Sequence, residues 1–77
     1  MQSALPHRIA VDLGICGGRP IVAGTRVRVV DVLEMLAGGA TESDIVRDFP
    51  YLEAADVRAC LIYAATMADH PVVLAAE

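Results

Sequence analysis

The spacing of the apolar residues changes at Val29, and this change limits the chain to two kinds of secondary structure in a fixed order. Residues 19–29, RPIVAGTRVRV, contain two β-branched runs around a glycine, which predicts a β-hairpin. From Val29 onward, apolar residues recur at spacings of three and four, as they do on one side of an amphipathic helix. We therefore expect a mainly α fold in which a β-ribbon over residues 8–29 precedes a helical part over residues 30–69.

The ribbon is expected to have one apolar and one cationic side. Residues 8–13, RIAVDL, alternate apolar with other residues and predict a first strand. In the second arm of the hairpin, Arg26 and Arg28 share one face, and Val27 and Val29 share the other, because side chains alternate along a strand.

Three helices are predicted after the ribbon. Gly38-Gly39 ends the first, and Thr41 is the expected N-cap of the second, with Asp44 placed to complete a capping box. The third extends from about Glu53 to Asp69. The turn FPYL joins the last two helices, which is the layout of a helix-turn-helix.

The third helix is apolar nearly all round, so more than one of its sides must be covered. Its main apolar stripe consists of Val57, Cys60, Leu61, Ala64, Ala65 and Ala68. The residues expected to contact a second copy lie on the remaining surface: Ala55, Ala59, Ile62, Tyr63 and Met67.

Composition supports a second copy as the cover. The chain has 77 residues, enough for a single domain with a short apolar tail over residues 70–77, and 56% of them are hydrophobic. Globular chains are ordinarily about 45–50% apolar, and a domain of this size hides only about 60–65% of its unfolded surface. A homodimer is therefore expected, with a monomer that has an apolar core helix as the alternative.

The charges are unevenly distributed along a chain of net charge −4. Residues 1–28 hold four arginines and one aspartate, whereas residues 29–77 hold two arginines and nine carboxylates. The candidate DNA-binding residues are Arg8, Arg19, Arg26, Arg28 and, on the third helix, Arg58. The alternative is that these arginines pair with carboxylates of the chain itself, and Arg26 is the one most expected to anchor the hairpin to a helix.

Nothing in the sequence points to catalysis. The two histidines, His7 and His70, lie near opposite ends of the chain, and Cys16 and Cys60 form no Cys-x-x-Cys pair, so no metal site is expected and both thiols should be free. No apolar run approaches the ~20 residues that span a bilayer. We expect a cytoplasmic protein that is not an enzyme, with no cofactor and no small-molecule substrate.

The combined motifs resemble the domain-of-unknown-function 433 family over roughly residues 8–68. The matching segments are Gly17 to Pro20, Gly24 to Arg26, Gly39 to Ile45, Phe49-Pro50 and Leu52 to Ala64. One departure is Glu53, where the family often has a threonine or serine that caps the third helix. This replacement weakens the cap by about 1 kcal/mol and predicts a looser turn.

The resemblance implies a homeodomain-like helix-turn-helix fold with an N-terminal β extension. It also implies an antitoxin-like protein of a type II toxin–antitoxin pair, which binds and occludes a PIN-like nuclease toxin, with possible autoregulation through operator DNA. The alternative function is a stand-alone helix-turn-helix regulator of transcription. In that case the third helix, whose N-terminal part carries Glu53 and Asp56, must read the major groove.

Overall fold

A computed structural model describes residues 7–69 and residue 71. Its elements follow the expected order, with a small two-stranded sheet first and three helices after it, so the prediction of a mainly helical chain with an N-terminal β element is confirmed. The predicted tail lies outside the described residues except for Pro71, and so does His70. The strands are β1 (Ile9–Ala10) and β2 (Ile21–Val22), and the helices are α1 (Val29–Ala37), α2 (Glu42–Asp48) and α3 (Ala54–Ala68).

The first strand is shorter than the sequence predicts. β1 pairs antiparallel with β2, with Ile9 opposite Val22. The expected strand over residues 8–13 ends early because Asp12 starts a turn, in which its side-chain oxygen accepts a hydrogen bond from the N–H of Gly14 at 2.8 Å. Leu13 is consequently left on the surface.

The second arm of the hairpin is not a strand. Only one isolated bridge, between Ile21 and Arg28, continues the sheet, and the next residue, Val29, already belongs to α1. Gly24 adopts φ +80° in the turn, and the hydroxyl of Thr25 closes it by donating to the carbonyl of Val22 at 2.8 Å. Because Arg26 lies in this turn, the predicted cationic strand face shared by Arg26 and Arg28 is not formed.

The bounds of the helices follow the predicted signals. α1 ends at Ala37 with Gly38 as its C-cap, and the next glycine, Gly39, adopts φ +106° as the chain leaves the helix. At the start of α2, Asp44 N–H donates to the hydroxyl of Thr41 at 3.0 Å, and Thr41 N–H donates to the Asp44 carboxylate at 2.9 Å. This is the predicted capping box.

The core lies between the sheet and the three helices. Its buried apolar residues come from every element and from the turn before α3: Ile9, Val22, Val27, Val29, Val32, Ile45, Leu52, Val57, Ala59 and Cys60. The predicted stripe of α3 is therefore only partly right. Val57 and Cys60 are buried, but Leu61, Ala65 and Ala68 are exposed, and Ala59 takes their place in the core.

One buried carboxylate fixes how α3 faces the sheet. Asp56 is only 7% exposed, and its two oxygens accept hydrogen bonds from the Arg8 guanidinium at 2.9 Å and from the backbone N–H of Glu53 at 2.8 Å. Arg8 also contacts the Glu53 carboxylate at 2.9 Å. The predicted loose turn at Glu53 is thus held by the aspartate three residues later, which links the start of α3 to the residue before β1.

Candidate functional site

The candidate DNA-binding arginines are mostly engaged within the chain. Arg8 contacts Glu53 and Asp56, as described above. Arg28 makes a two-pronged contact with Asp31, through Nη2 at 2.7 Å and Nε at 3.1 Å. These hydrogen bonds lower the pKa of Asp31 below its ordinary value and raise that of Arg28. A phosphate that binds either arginine must compete with a geometrically favourable carboxylate.

The arginines of α2 and α3 are also near carboxylates. On α3, Nε of Arg58 lies 3.6 Å from Oε2 of Glu42, an exposed and long contact. On α2, Arg47 contacts Asp44 at 3.2 Å and Asp48 at 3.5 Å. Both arginines remain well exposed, so these pairs contribute little to stability and can exchange partners.

Arg19 and Arg26 have no carboxylate within ion-pair distance among residues 7–69 and 71. Arg19 donates to the carbonyl of Cys16 at 3.3 Å, and the side chain of Arg26 extends from the turn between β2 and α1. The expectation that Arg26 anchors the hairpin is therefore not met within the described part of the chain, since Arg8 and Arg28 provide the anchors instead. Among the described residues, Arg19 and Arg26 are thus the arginines outside any ion pair.

A wide groove of about 920 Å³ opens between the turn after β2, α1 and the turn before α3. Its apolar lining includes Val27, Met35 and the ring of Phe49. Phe49 packs edge-to-face against Tyr51, with ring centroids 6.1 Å apart. Tyr51 is 61% exposed, so most of this ring is offered to solvent along the groove. A surface of this kind suits an inserted side chain from another molecule.

Charged groups line the same groove and give it polarity. Arg26 lies on the turn, while Glu34 and Asp31 lie on α1. Asp31 is held by Arg28, which leaves Glu34 as the exposed carboxylate free to meet an incoming cation. Glu34 and Tyr51 were not among the site residues predicted from the sequence, because no motif in the sequence shows that α1 and the turn before α3 flank a common space.

The side of α3 that faces away from the core, its outer face, is a second exposed surface. Leu61 and Ile62 are 47% and 57% exposed, and Ala65 lies one turn further along the same face. A DNA-reading helix presents cations and hydrogen-bonding groups at this position. The outer face of α3 is instead apolar, with Arg58 at one end and Asp69 at the other.

The fold buries some of the residues expected at a dimer interface and leaves others exposed. Ala59 is 4% exposed and belongs to the core of its own chain, so in this fold it offers almost no surface to a second copy. Tyr63 packs partly against the core, and Ala55 is half-buried. Ile62 and Met67 are exposed and remain open to contact.

The described residues contain no cluster of metal-ligating side chains, and one of their two thiols is buried. Within residues 7–69 and 71, no three or more histidine, cysteine or carboxylate side chains cluster in a way that could hold a metal. Cys60 is fully buried, and burial raises the pKa of its thiol to about 11. Cys16 is partly exposed and donates through Sγ to the carbonyl of Arg26 at 3.5 Å.

None of the helices in the described part of the chain combines the length and the apolar content needed to cross a membrane. α3, the longest of them, has 15 residues.

The fold defines a small, mainly helical domain with a two-stranded N-terminal sheet. Residues 9–64 match the family described as "Protein of unknown function (DUF433)", and the chain belongs to this family. The expected resemblance is therefore confirmed, over most of the range that the sequence motifs cover.

Two similar proteins extend this result. The uncharacterized protein y4eO of Sinorhizobium fredii (strain NBRC 101917 / NGR234) is 42% identical over 50 residues, which cover 65% of this chain but 23% of that protein. The crystal structure of a DUF433 member from Anabaena variabilis ATCC 29413, at 2.00 Å resolution, superposes with a TM-score of 0.75 at 27% identity. The match covers 80% of this chain and 61% of the Anabaena chain. The chain thus spans less than two thirds of either relative.

Proposed function

We propose that this domain is an antitoxin-like module that binds a PIN-like nuclease in the cytoplasm and blocks access of RNA to it. The observation that carries the proposal is the groove beside Tyr51, which combines an exposed aromatic ring, an apolar lining and a free carboxylate. Aromatic anchors in a partly apolar pocket are typical of protein–protein contacts that bind strongly. Neutralisation by occlusion needs no chemistry from the antitoxin.

The groove accommodates a segment that carries one apolar and one basic side chain. The apolar side chain packs against Met35, Phe49 and Tyr51, where it displaces water from their surfaces. The basic side chain pairs with Glu34 on the exposed side of α1. A nuclease that binds RNA must expose such basic residues, because its substrate is a polyanion.

The charge of the chain agrees with a cationic partner. The net charge is −4, and carboxylates outnumber arginines in the helical part. Complementary charge of this kind accelerates association with a basic protein and disfavours nucleic acid. The choice of a PIN-like nuclease among basic proteins rests on the family resemblance.

Co-expression with the product of a neighbouring nuclease gene tests the proposal. We expect the two proteins to co-purify and the growth arrest caused by the nuclease to be relieved. Tyr51→Ala and Glu34→Lys should each reduce the retained nuclease at least tenfold, since each removes one of the two contacts. Asp48→Lys makes the same change of charge as Glu34→Lys but outside the groove, and it should leave binding unchanged.

Two results would contradict the groove as the binding site. One is a nuclease that neither co-purifies with the wild-type chain nor is neutralised by it. The other is equal binding by wild type and by both groove variants, with thermal unfolding confirming that all three are folded. A reduction by Asp48→Lys as large as that by Glu34→Lys indicates an effect of overall charge instead.

A second candidate function is binding of operator DNA, and the two arginines without a carboxylate partner favour it. Arg19 and Arg26 could each neutralise one phosphate, giving a slope of about −2 in log affinity against log salt for one copy. A gel-shift titration with the upstream DNA should then lose binding on Arg26→Ala. Loss on Arg58→Ala, with Arg26→Ala unaffected, favours instead a helix-turn-helix reader that uses α3.

A further inference from the structure

The outer face of α3 carries opposite charges at its two ends. Arg58 and Asp69 are eleven residues apart, which places them about 16 Å apart along the helix and only about 20° apart around it. Asp69 keeps helical backbone angles at the C-cap (φ −79°, ψ −5°), so this spacing applies to it. Leu61, Ile62 and Ala65 lie between the two charges on the same face, and all three are exposed.

Two copies of this face are complementary in charge when the helices pack antiparallel. A two-fold axis that passes beside the helix midway between residues 63 and 64 brings Arg58 of one copy opposite Asp69 of the other. The same axis brings Ile62 opposite Ala65, where a small side chain leaves room for a large one. Leu61 lies at one edge of this contact. An isologous contact of this type repeats each pair twice.

The present surroundings of the two charges leave both available. Arg58 contacts Glu42 at 3.6 Å, and both side chains are more than one third exposed, so little is lost when Arg58 turns away. The ion pairs among residues 7–69 and 71 do not include Asp69. An aspartate at the C-terminal end of a helix is unfavourable beside the exposed carbonyls, and a cation placed there removes the penalty.

We propose that a second copy of this chain covers the outer face of α3 in an antiparallel pair, with Arg58 of each copy bonded to Asp69 of the other. Ile62 packs on the partner's Ala65 at the centre. This set of contacts differs from the one expected from the sequence, because Leu61, Ala65 and the two end charges replace Ala55, Ala59 and Tyr63. The proposal does not depend on the groove beside Tyr51, since none of the groove residues lies on α3.

Sedimentation equilibrium of the full chain at 1 to 200 µM tests this pair, when the wild type is compared with variants in which the charges at positions 58 and 69 are exchanged. The wild type should reach a dimer within that range. Arg58→Glu and Asp69→Arg should each raise the dissociation constant at least tenfold, because each places like charges opposite one another twice. The double variant Arg58→Glu/Asp69→Arg should return to within about threefold of the wild type, since the bridges form again with reversed sign.

Arg47→Glu is the matched control. It makes the same charge change on the exposed surface of α2 and should leave the dissociation constant unchanged. A wild type that remains monomeric at 200 µM overturns the proposal, and then other parts of the chain or a different protein cover the face. A dimer that persists in both single variants, or that the double variant fails to restore, also overturns it. Circular dichroism melts establish that each variant is folded before its mass is measured.

Discussion

Asp56 links the N-terminal segment to α3, and replacing it tests whether this link holds the domain together. The carboxylate accepts one hydrogen bond from the Glu53 N–H at 2.8 Å and one from Arg8 at 2.9 Å. Asp56→Ala removes both acceptors and leaves an N–H at the first turn of α3 without a partner. We expect the packing of β1, which follows directly after Arg8, on α3 to loosen as a result.

The magnitude follows from the two contacts and their exposure. A hydrogen bond to a buried charged group contributes about 1.5–3 kcal/mol, and the contact with the Glu53 N–H is of this kind. Arg8 stays about one third exposed and keeps its contact with Glu53, so its loss adds little. Asp56→Ala should therefore lower the free energy of unfolding by about 2–3 kcal/mol. A domain of this length has roughly 4–11 kcal/mol in total.

Urea and thermal unfolding, followed by circular dichroism, measure this change. The midpoint of thermal unfolding should fall by roughly 10–20 °C, since 1 kcal/mol corresponds to about 4–8 °C for a domain of this size. Asp56→Asn keeps the shape and one acceptor oxygen, so it should lose about half as much. Asp48→Ala removes an exposed carboxylate of the same type and should change stability by less than about 0.5 kcal/mol.

An Asp56→Ala variant whose free energy of unfolding lies within about 0.5 kcal/mol of that of the wild type contradicts this prediction. In that case the contacts between Arg8, Asp56 and Glu53 do not stabilise the packing of the sheet on α3. Hydrogen exchange provides a local check, because the amides of Ile9 and Ala10 should exchange faster in Asp56→Ala than in Asp48→Ala.

Three further predictions concern the α2 cap and the thiols. Thr41→Ala should cost about 1 kcal/mol in a urea titration, because one half of the capping box is lost; an unchanged midpoint contradicts the cap. The hydrogen bond from the backbone N–H of Thr41 lowers the pKa of Asp44 below its usual value. The ionised carboxylate therefore stabilises the fold above about pH 4, and this contribution is lost as the pH falls through the lowered pKa. Asp44→Asn should therefore be less stable than the wild type at pH 6 and equal to it near pH 2, and a constant difference counts against the linkage. At pH 7.5 a thiol reagent should modify Cys16 but not Cys60, which should react only after unfolding in guanidinium; two equivalents at once would show that Cys60 is accessible.

The parts of the fold that local signals determine could be read from the sequence. The Gly38-Gly39 stop and the capping box of Thr41 and Asp44 each depend on residues a few positions apart, and the structure places both where they are predicted. The second strand of the hairpin could not be excluded in this way. The segment of Val27 to Val29 has strand-like residues, but packing of Val29 and Val32 against the core draws its last residue, Val29, into the start of α1.

The orientation of α3 could not be read from periodicity, because apolar residues occupy most of its circumference. Several rotations bury a similar apolar area, so the pattern alone does not choose among them. The choice is made by Asp56, whose carboxylate must reach both Arg8 and the backbone of Glu53. That requirement turns Ala59 into the core and Leu61 outward. Arg8 and Asp56 are 48 positions apart in the chain, and a contact over this separation produces no local pattern in the sequence.

The charge available to partners also differs from the charge that the sequence counts. Four of the six arginines contact carboxylates within the described part of the chain, and two of these, Arg8 and Arg28, are among the four arginines of the cationic N-terminal segment. The fold therefore neutralises half of the arginines of that segment. Among the described residues, the charges outside these pairs include Glu34 in the groove, Asp69 at the end of α3, and the arginines Arg19 and Arg26. Each of them belongs to a different proposed contact: Glu34 with a basic protein, Asp69 with a second copy, and the two arginines with phosphate. Because these contacts use separate residues, each of the variants described above can remove one contact and leave the other two in place. A variant that abolishes all three contacts must therefore act by disrupting the fold and not by changing one surface.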